Sequence, residues 1–307
     1  MAEKEILHRF GFATDEEPVS IYPFSPVFKV KGETNDFIIK RTQNQERKVM
    51  DYVTMLRDNG VNVVTPVPLK AENPQLIGNE TYVTYPFIDG TSYTGKDQEI
   101  IEAGRLLGEI HYLSPLENTY NLDTYDVFDF NEEEVEESVQ KIKTYAAGFN
   151  VSIDILQLEA KLMEAVKTQE ILKNCRLPLV ATPHDYKANN LIYTPMPFLI
   201  DPDNAAWVPR IFDLALALLL FHNEMATAPD RVFTTTEWQT FLSGYIENVS
   251  ISEPELSNWQ SAVEHVFLDE VMWLMAEVEE DWSNPKQRNL FVSLTQFILN
   301  SSSYSLD

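Results

Sequence analysis

The spacing of apolar side chains predicts a mixture of helices and strands at the start of the chain. Apolar residues three and four apart predict helices over residues 3–12 and 43–59, the second ended by Gly60. Residues 21–30 and 36–41 are apolar, strand-like runs, and the turn-forming sequence KGETND separates them. This order predicts a β-hairpin followed by a helix.

Two further β-branched and aromatic runs, VNVVTPVPL and ETYVTYPFIDG, predict more strands, interrupted by prolines. After Gly90 the pattern changes to helical periodicity. The predicted helices cover residues 98–112, 141–172, 210–224, 237–247, 253–279 and 286–300, and the acidic tract 123–137 is expected to be a solvated loop and helix start. We therefore expect an α+β fold with two lobes: residues 1–89 around an antiparallel sheet with one main helix, and a larger, mainly helical lobe over residues 90–307.

Composition narrows the class of protein. The 307 residues include 44% hydrophobic side chains, which suffices for a large core. The charge of −25 disfavours nucleic acid and anionic membranes as partners, and no apolar run is long enough to span a membrane. The single cysteine, Cys175, excludes an intrachain disulfide, and together with a start that lacks a signal-peptide core it favours a cytoplasmic protein, monomer or homodimer.

Polar residues that could carry chemistry are concentrated between Thr182 and Ala215. Asp185 is followed by Asn190 and, after an apolar strand-like segment, by Asp201. This spacing is typical of phosphoryl transfer, where one carboxylate handles the acceptor hydroxyl while an amide and a second carboxylate hold Mg²⁺. We accordingly assign Asp185 as the catalytic residue.

Four other charged residues complete this hypothesis. Asp203 is a further candidate metal ligand, and Asp213 opens an apolar helix. Lys40 ends the second strand of the hairpin, where it could reach the α- and β-phosphates of a nucleotide. Glu46, on the helix that follows, is its candidate ion-pair partner.

These motifs resemble the aminoglycoside phosphotransferase and choline kinase family, whose two-lobed fold is that of the protein kinases. The resemblance covers most of the chain, through FIIKR, YPFIDG, AGRLLGEIH, HDYKANN, LIDPDNA and FDLA. It implies ATP or GTP with Mg²⁺ as co-substrate, HDYKANN as the catalytic loop, and Asp213 as a brace for that loop.

The resemblance also implies a nucleotide site between the lobes. The base would lie against the hinge formed by residues 84–88, which includes Tyr85, Phe87 and Ile88. Backbone groups near Ser25 would cover the phosphates, because the chain has no glycine-rich loop there.

The chain departs from the family pattern at three points. The usual His-Gly-Asp start of the catalytic loop is replaced by Pro183-His184-Asp185, and the glycine-rich loop is absent. Only five residues separate Lys40 from Glu46. Lys187, two residues after the catalytic acid, is either a contact for the transferred phosphate or an exposed loop lysine.

Several functions fit these residues. The first is a kinase for a small, cationic hydroxyl acceptor such as an aminoglycoside or another antibiotic. A second is a metabolic kinase for an amino alcohol, a sugar or a homoserine-like substrate. A third is a non-catalytic binding protein with a kinase fold, and the last is a metal-dependent hydrolase. Two sets of residues are available to bind the acceptor, either the acids Asp203, Glu224, Glu264, Asp269 and Glu270 or the aromatic residues Trp207, Trp273 and Trp282.

Overall fold

A computed structural model describes residues 3–14, 17–22, 25–42 and 47–306. In chain order, the helices and strands are α1 (Glu3–Arg9), β1 (Val27–Lys31), β2 (Asp36–Thr42), α2 (Arg47–Asp58), β3 (Gln75–Ile77), β4 (Glu80–Pro86), β5 (Thr91–Ser92), α3 (Asp97–Tyr112), β6 (Asp123–Thr124), α4 (Glu132–Gly148), α5 (Ile155–Asn174), β7 (Leu179–Thr182), β8 (Leu191–Tyr193), β9 (Pro197–Leu199), β10 (Ala206–Pro209), α6 (Arg210–Leu220), α7 (Thr235–Tyr245), α8 (Glu253–Val266), α9 (Trp273–Glu277) and α10 (Pro285–Leu299). The fold is α+β, as the sequence predicts, with a small antiparallel sheet followed by a larger helical part.

The first sheet has the strand order β1-β2-β4-β3, and every neighbouring pair is antiparallel. Strand β2 lies between β1 and β4, so its Lys40 is paired with Val27 of β1 on one side and Val83 of β4 on the other. Helix α2 buries its apolar face, and Gly60 ends the turn after it with φ 95°, a left-handed conformation that favours glycine. The predicted hairpin and main helix are therefore present.

Two strand predictions in this part were wrong. Strand β1 begins only at Val27, although the apolar run starts at residue 21, because Pro26 interrupts it. The run VNVVTPVPL forms no strand of the sheet; Val63 instead makes an isolated parallel bridge to Leu199 of β9, and the Val64 N–H donates to the Leu199 carbonyl at 3.0 Å. The Val67 N–H donates to the Thr84 carbonyl of β4 at 3.0 Å, so this segment joins the first sheet to the part of the chain that follows.

The helical part packs around α3, α6, α7 and α8. Helices α3 and α7 approach closely through glycines: a Cβ atom on Gly108 would lie 2.5 Å from the Tyr245 carbonyl oxygen. Two of the predicted long helices are interrupted. Residues 141–172 fall in α4 and α5, separated where Asn150 takes φ 56°, and residues 253–279 contain the π-helical segment Phe267–Met272 between α8 and α9.

We propose that the two lobes meet near residue 89. Strand β4 ends at Pro86, whereas β5 already pairs with β8 of the second part. No helix in the described ranges is both long and apolar enough to cross a membrane.

Candidate active site

The β8–β9 hairpin brings Asn190 and Asp201 together. In its antiparallel register Leu191 pairs with Leu199, so the residues just before β8 and just after β9 emerge at one end. The Ile200 N–H donates to the Asn190 carbonyl at 2.9 Å and fixes that end. Local strand pairing therefore explains why an amide and an acid eleven positions apart share a site.

Asp185 lies in the loop between β7 and a short 3₁₀ helix, Ala188–Asn190, and has φ 48°. The preceding His184 is also left-handed, with φ 56°. The Asn190 amide nitrogen donates to the Asp185 carbonyl oxygen at 2.9 Å and to its Oδ2 atom at 3.3 Å. Asn190 and Asp185, which the sequence predicts to share one site, are therefore hydrogen-bonded to each other across the loop.

The Lys40 side chain extends from the first sheet to the acids that follow β9. Its Nζ atom lies 2.5 Å from Asp201 Oδ1 and 3.1 Å from Asp203 Oδ2. Burial by itself would lower the pKa of Lys40, but Asp203 and Asp201 raise it, so the lysine is charged. Burial raises the pKa of Asp201, against the opposing effect of Lys40.

Lys187 is a second charged residue beside Asp185. Its Nζ atom lies 3.3 Å from Asp185 Oδ2 and 3.5 Å from Glu224 Oε2. Burial alone would lower the pKa of Lys187, yet Asp185 and Glu224 raise it to about 12. The Tyr22 hydroxyl, which precedes the first sheet, also donates to Glu224 Oε2 at 3.5 Å. Lys187 is therefore a partner of Asp185 and not an exposed loop lysine.

Asp213 lies under the catalytic loop and is fully buried. Its Oδ2 atom accepts hydrogen bonds from Thr182 Oγ1 and His111 Nε2, both at 2.9 Å. His111 Nδ1 in turn lies 2.9 Å from the Tyr245 hydroxyl, so both ring nitrogens of His111 have a partner. Burial would raise the pKa of Asp213, but the bond from His111 lowers it below its ordinary value. This geometry fits the bracing role that the family resemblance implies.

A cavity of about 460 Å³ lies between the sheet and the loop. Its apolar lining comes from both lobes and includes Val27, Ile38, Val64, Ile88, Ile192 and Ile200. Its polar lining contains Lys40, Asp185, Asn190, Asp201 and Asp203 together with Ser25 and Tyr85, and Phe87 adds to the apolar lining. All the predicted site residues that the structure describes therefore line one cavity; Glu46 lies outside the described residues.

The hinge residues differ in what they can offer a ligand. Pro86 has no N–H, and the Phe87 N–H already donates to the Asp36 carbonyl at 3.0 Å. The Tyr85 hydroxyl donates to Asp203 Oδ1 in a short bond and so is turned away from the hinge edge. Ile88, the next hinge residue, lines the cavity.

The oxygen ligands in this cavity suit a divalent cation that binds both the protein and substrate phosphates. In the part of the chain that the structure describes, no three His, Cys, Asp or Glu side chains are grouped to hold a metal by themselves. The Asp201 side chain is 37% exposed, and Asn190 has its amide nitrogen fixed by Asp185. One carboxylate and one amide oxygen suit Mg²⁺, which keeps several waters and binds substrate phosphates.

The candidate acceptor residues separate into two groups. Trp207, Trp282 and Glu264 are buried, and Glu264 pairs with Lys161 at 2.7 Å. These three therefore belong to the core. Trp273 is exposed.

Asp269 and Glu270 lie on the π-helical segment, and burial raises the pKa of each. Glu270 interacts electrostatically with Asp185 and Lys187, whereas the Tyr125 hydroxyl donates to Asp269 Oδ2 at 2.8 Å. Glu270 is therefore the acid of this pair that is available beside the catalytic loop.

Some functional contacts were not predicted from the sequence. The Tyr85 hydroxyl, His111 and the Glu224–Lys187 pair each join positions far apart in the chain. The glycines of AGRLLGEIH permit the close approach of α7, but nothing local in the sequence identifies the partners of His111.

We expect the strain at His184 to be measurable by comparing two substitutions. His184→Gly and His184→Ala both remove the imidazole, but only glycine adopts φ 56° without strain. The glycine variant should therefore be more stable than the alanine variant by about 1 kcal/mol in urea unfolding. Equal unfolding midpoints for the two variants would show that no strain is stored at this position.

A two-lobed α+β fold with a lysine, an asparagine and paired carboxylates around an interlobe cavity defines the class of kinase-like phosphotransferases. A sequence profile of the phosphotransferase enzyme family, the family of the aminoglycoside phosphotransferases, matches residues 24–253. The chain belongs to this family, and it is a kinase: a phosphotransferase with an alcohol group of a small molecule as acceptor. No curated protein sequence matches it.

Solved structures share the fold at low sequence identity. An amicoumacin kinase in complex with AMP-PNP, Ca²⁺ and Ami is 14% identical, with a TM-score of 0.66 over 99% of this chain and 95% of that one. A microcompartment-associated aminopropanol kinase is 14% identical, with a TM-score of 0.63 over 99% and 98%. A spectinomycin phosphotransferase in complex with ADP and spectinomycin is 16% identical, with a TM-score of 0.58 over 91% of each chain.

Proposed function

We propose that this protein transfers the γ-phosphate of ATP or GTP, with Mg²⁺, to a hydroxyl of a small cationic acceptor such as an aminoglycoside or another antibiotic. The observation that carries the proposal is the convergence of Lys40, Asp185, Asn190 and Asp201 on one cavity whose remaining lining is largely apolar. The apolar part suits a nucleotide base, with the Ile88 N–H at the hinge. The charged part suits its phosphates.

The phosphates are held by groups of both lobes. Lys40 supplies a fixed positive charge for the α- and β-phosphates, because its pKa is raised and it stays protonated. Asp201 and Asn190 would hold Mg²⁺, which neutralises phosphate charge when it is bound. Backbone groups near Ser25 would cover the phosphates from the first sheet.

Asp185 acts on the acceptor. Its carboxylate orients the hydroxyl and takes the hydroxyl proton as the acceptor oxygen forms a bond to the γ-phosphorus. The bond between that phosphorus and the bridging oxygen breaks, and the nucleoside diphosphate leaves with the electron pair. Lys187, 3.3 Å from Asp185, offsets negative charge beside the transferred group.

Acids near Asp185 and Lys187 favour a cationic acceptor. Glu224 lies 3.5 Å from Lys187, Glu270 interacts electrostatically with Asp185, and Asp281 interacts electrostatically with Glu224. Amine groups of an antibiotic or of an amino alcohol would both pair with these carboxylates. An amino alcohol, sugar or homoserine-like metabolite therefore remains the second candidate acceptor.

The experiment that tests this proposal is an acceptor panel. Purified protein with ATP or GTP and Mg²⁺ is given aminoglycosides, other antibiotics, amino alcohols, sugars and homoserine, and diphosphate release is measured. We expect release to rise at least tenfold with an amine-bearing hydroxyl compound, and to fall to background in Asp185→Ala.

The pattern of rates separates the candidates. Strong preference for one amino alcohol or sugar would favour the metabolic kinase over the antibiotic kinase. Magnesium-dependent nucleotide binding without acceptor-stimulated release would favour a non-catalytic binding protein. Diphosphate release that no acceptor stimulates and that Asp185→Ala leaves unchanged would contradict the assigned mechanism.

A further inference from the structure

Asp203 lies two residues after Asp201, but its surroundings differ. The Asp203 side chain is 3% exposed, whereas the Asp201 side chain is 37% exposed. A cation held jointly by protein, water and phosphate needs carboxylate oxygens that open into the cavity. Both acids line the cavity, but the Asp201 side chain is the more open of the two, and Asp203 is largely covered by groups of this chain.

Both oxygens of Asp203 face groups of this chain. The Tyr85 hydroxyl donates to Oδ1 in a short hydrogen bond, and Lys40 Nζ lies 3.1 Å from Oδ2. Tyr85 itself is buried, and its hydroxyl also lies 3.8 Å from Met50 Sδ. The carboxylate of Asp203 therefore has a fixed orientation that directs one oxygen at the lysine.

Strand register explains why Tyr85 and Lys40 meet the same acid. Lys40 pairs with Val83 and Ile38 pairs with Tyr85, so these four side chains share one face of the sheet. Lys40 and Tyr85 are diagonal neighbours on that face, which covers the cavity. Asp203 approaches this face from the second lobe.

Lys40 needs a lasting counter-charge. Its side chain is only 12% exposed, and a long flexible amine in such a place would adopt several positions without a partner. Asp201 is its other contact, but Asp201 is also the carboxylate available to a metal. Once a cation occupies Asp201, Asp203 is the acid that stays in contact with Lys40 among the residues that the structure describes.

We infer that Asp203, held by the Tyr85 hydroxyl, positions Lys40 for the nucleotide phosphates and is not a metal ligand. This inference rests on the proposed function, because it takes the cavity to be a metal–nucleotide site. It gives Asp203 the anchoring role that the sequence alone suggested for Glu46, and leaves the cation to Asp201 and Asn190.

Two binding measurements test the inference without an acceptor or turnover. The first is the affinity for ADP in EDTA, by calorimetry, and the second is the Mg²⁺ concentration that gives half of the metal-dependent gain in ADP affinity. Asp203→Asn should weaken metal-free ADP binding on the order of tenfold, as Lys40→Ala does, and leave the Mg²⁺ requirement unchanged. Asp201→Asn should instead raise the required Mg²⁺ concentration on the order of tenfold.

Further variants make the result specific to positioning. The double variant Lys40→Ala/Asp203→Asn should bind metal-free ADP no more weakly than Lys40→Ala, since both changes remove one interaction. Tyr85→Phe keeps the ring and should weaken metal-free binding by roughly threefold. Tyr93→Phe is the matched control, because Tyr93 is also buried and its hydroxyl contacts His222 instead.

The outcomes are distinguishable. If Asp203→Asn and Tyr85→Phe leave metal-free ADP affinity unchanged while Asp203→Asn raises the Mg²⁺ requirement, Asp203 is a metal ligand and the inference is wrong. If the wild-type protein binds no nucleotide with or without Mg²⁺, the proposed function fails, and the inference fails with it.

Discussion

Replacing Asp185 by asparagine should lower turnover about a thousandfold, the usual contribution of a general base, while nucleotide binding changes little. Asparagine is the better test than alanine, because residue 185 has φ 48° and asparagine tolerates left-handed backbone. The substitution removes the proton acceptor but leaves Lys187 its contact with Glu224. Diphosphate release with the best acceptor gives kcat, and calorimetry with Mg²⁺ and nucleotide gives affinity.

The control for this prediction is an acid outside the cavity. Asp51 is exposed on α2, and Asp51→Asn should leave both turnover and affinity at wild-type values. Turnover of Asp185→Asn within a few fold of wild type would remove Asp185 from the mechanism. A parallel loss of nucleotide affinity would instead assign it a binding role.

Replacing Asp213 by alanine should lower the free energy of unfolding by about 3 kcal/mol. The carboxylate is fully buried, and its loss leaves Thr182 Oγ1 and His111 Nε2 without their acceptor. Urea unfolding measures this change. Asp213→Asn is the matched variant, because it keeps an acceptor oxygen and should lose less stability.

The effect of Asp213 should depend on pH in one direction. Its pKa is lowered in the folded protein below the unfolded value of about 3.9, so its ionised form stabilises the fold above that pH. This contribution is lost as the pH falls through the lowered folded-state pKa. The stability difference between wild type and Asp213→Ala should be complete at about pH 7 and shrink below about pH 4. If the stability difference between the two proteins stays constant down to the pH of acid unfolding, the ionised Asp213 carboxylate does not stabilise the fold.

The parts of the site that the sequence predicted are those made by local structure. Asn190 and Asp201 meet because a short hairpin lies between them, and this hairpin follows from alternating apolar residues. Helix α2 and its end at Gly60 follow from local periodicity and from a left-handed turn. Such features depend on neighbours in the chain, and a single sequence records them.

The parts that it did not predict depend on distant contacts. Tyr85 and Asp203 are 118 positions apart, and His111 and Asp213 are 102 apart. Neither tyrosine nor histidine carries a local signal for such a partner. The segment VNVVTPVPL was wrongly placed in the first sheet for the same reason, because its partner Leu199 belongs to the second part of the chain.

The family resemblance supplied what local patterns could not. It implied a bracing role for Asp213, and the observed geometry fits that role. The left-handed backbone at His184 also gives a physical reason for the glycine in the usual His-Gly-Asp motif. Here that position carries a histidine beside the catalytic acid.

The central claim is that the interlobe cavity moves a phosphoryl group from a nucleotide to a hydroxyl through Asp185. Mass spectrometry of the acceptor panel after incubation with ATP and Mg²⁺ tests it most directly. We expect one acceptor to gain the mass of a single phosphoryl group, in amounts equal to the ADP formed, with no such product from Asp185→Asn. ADP formed without any phosphorylated acceptor, or product formed equally by Asp185→Asn, would contradict the claim.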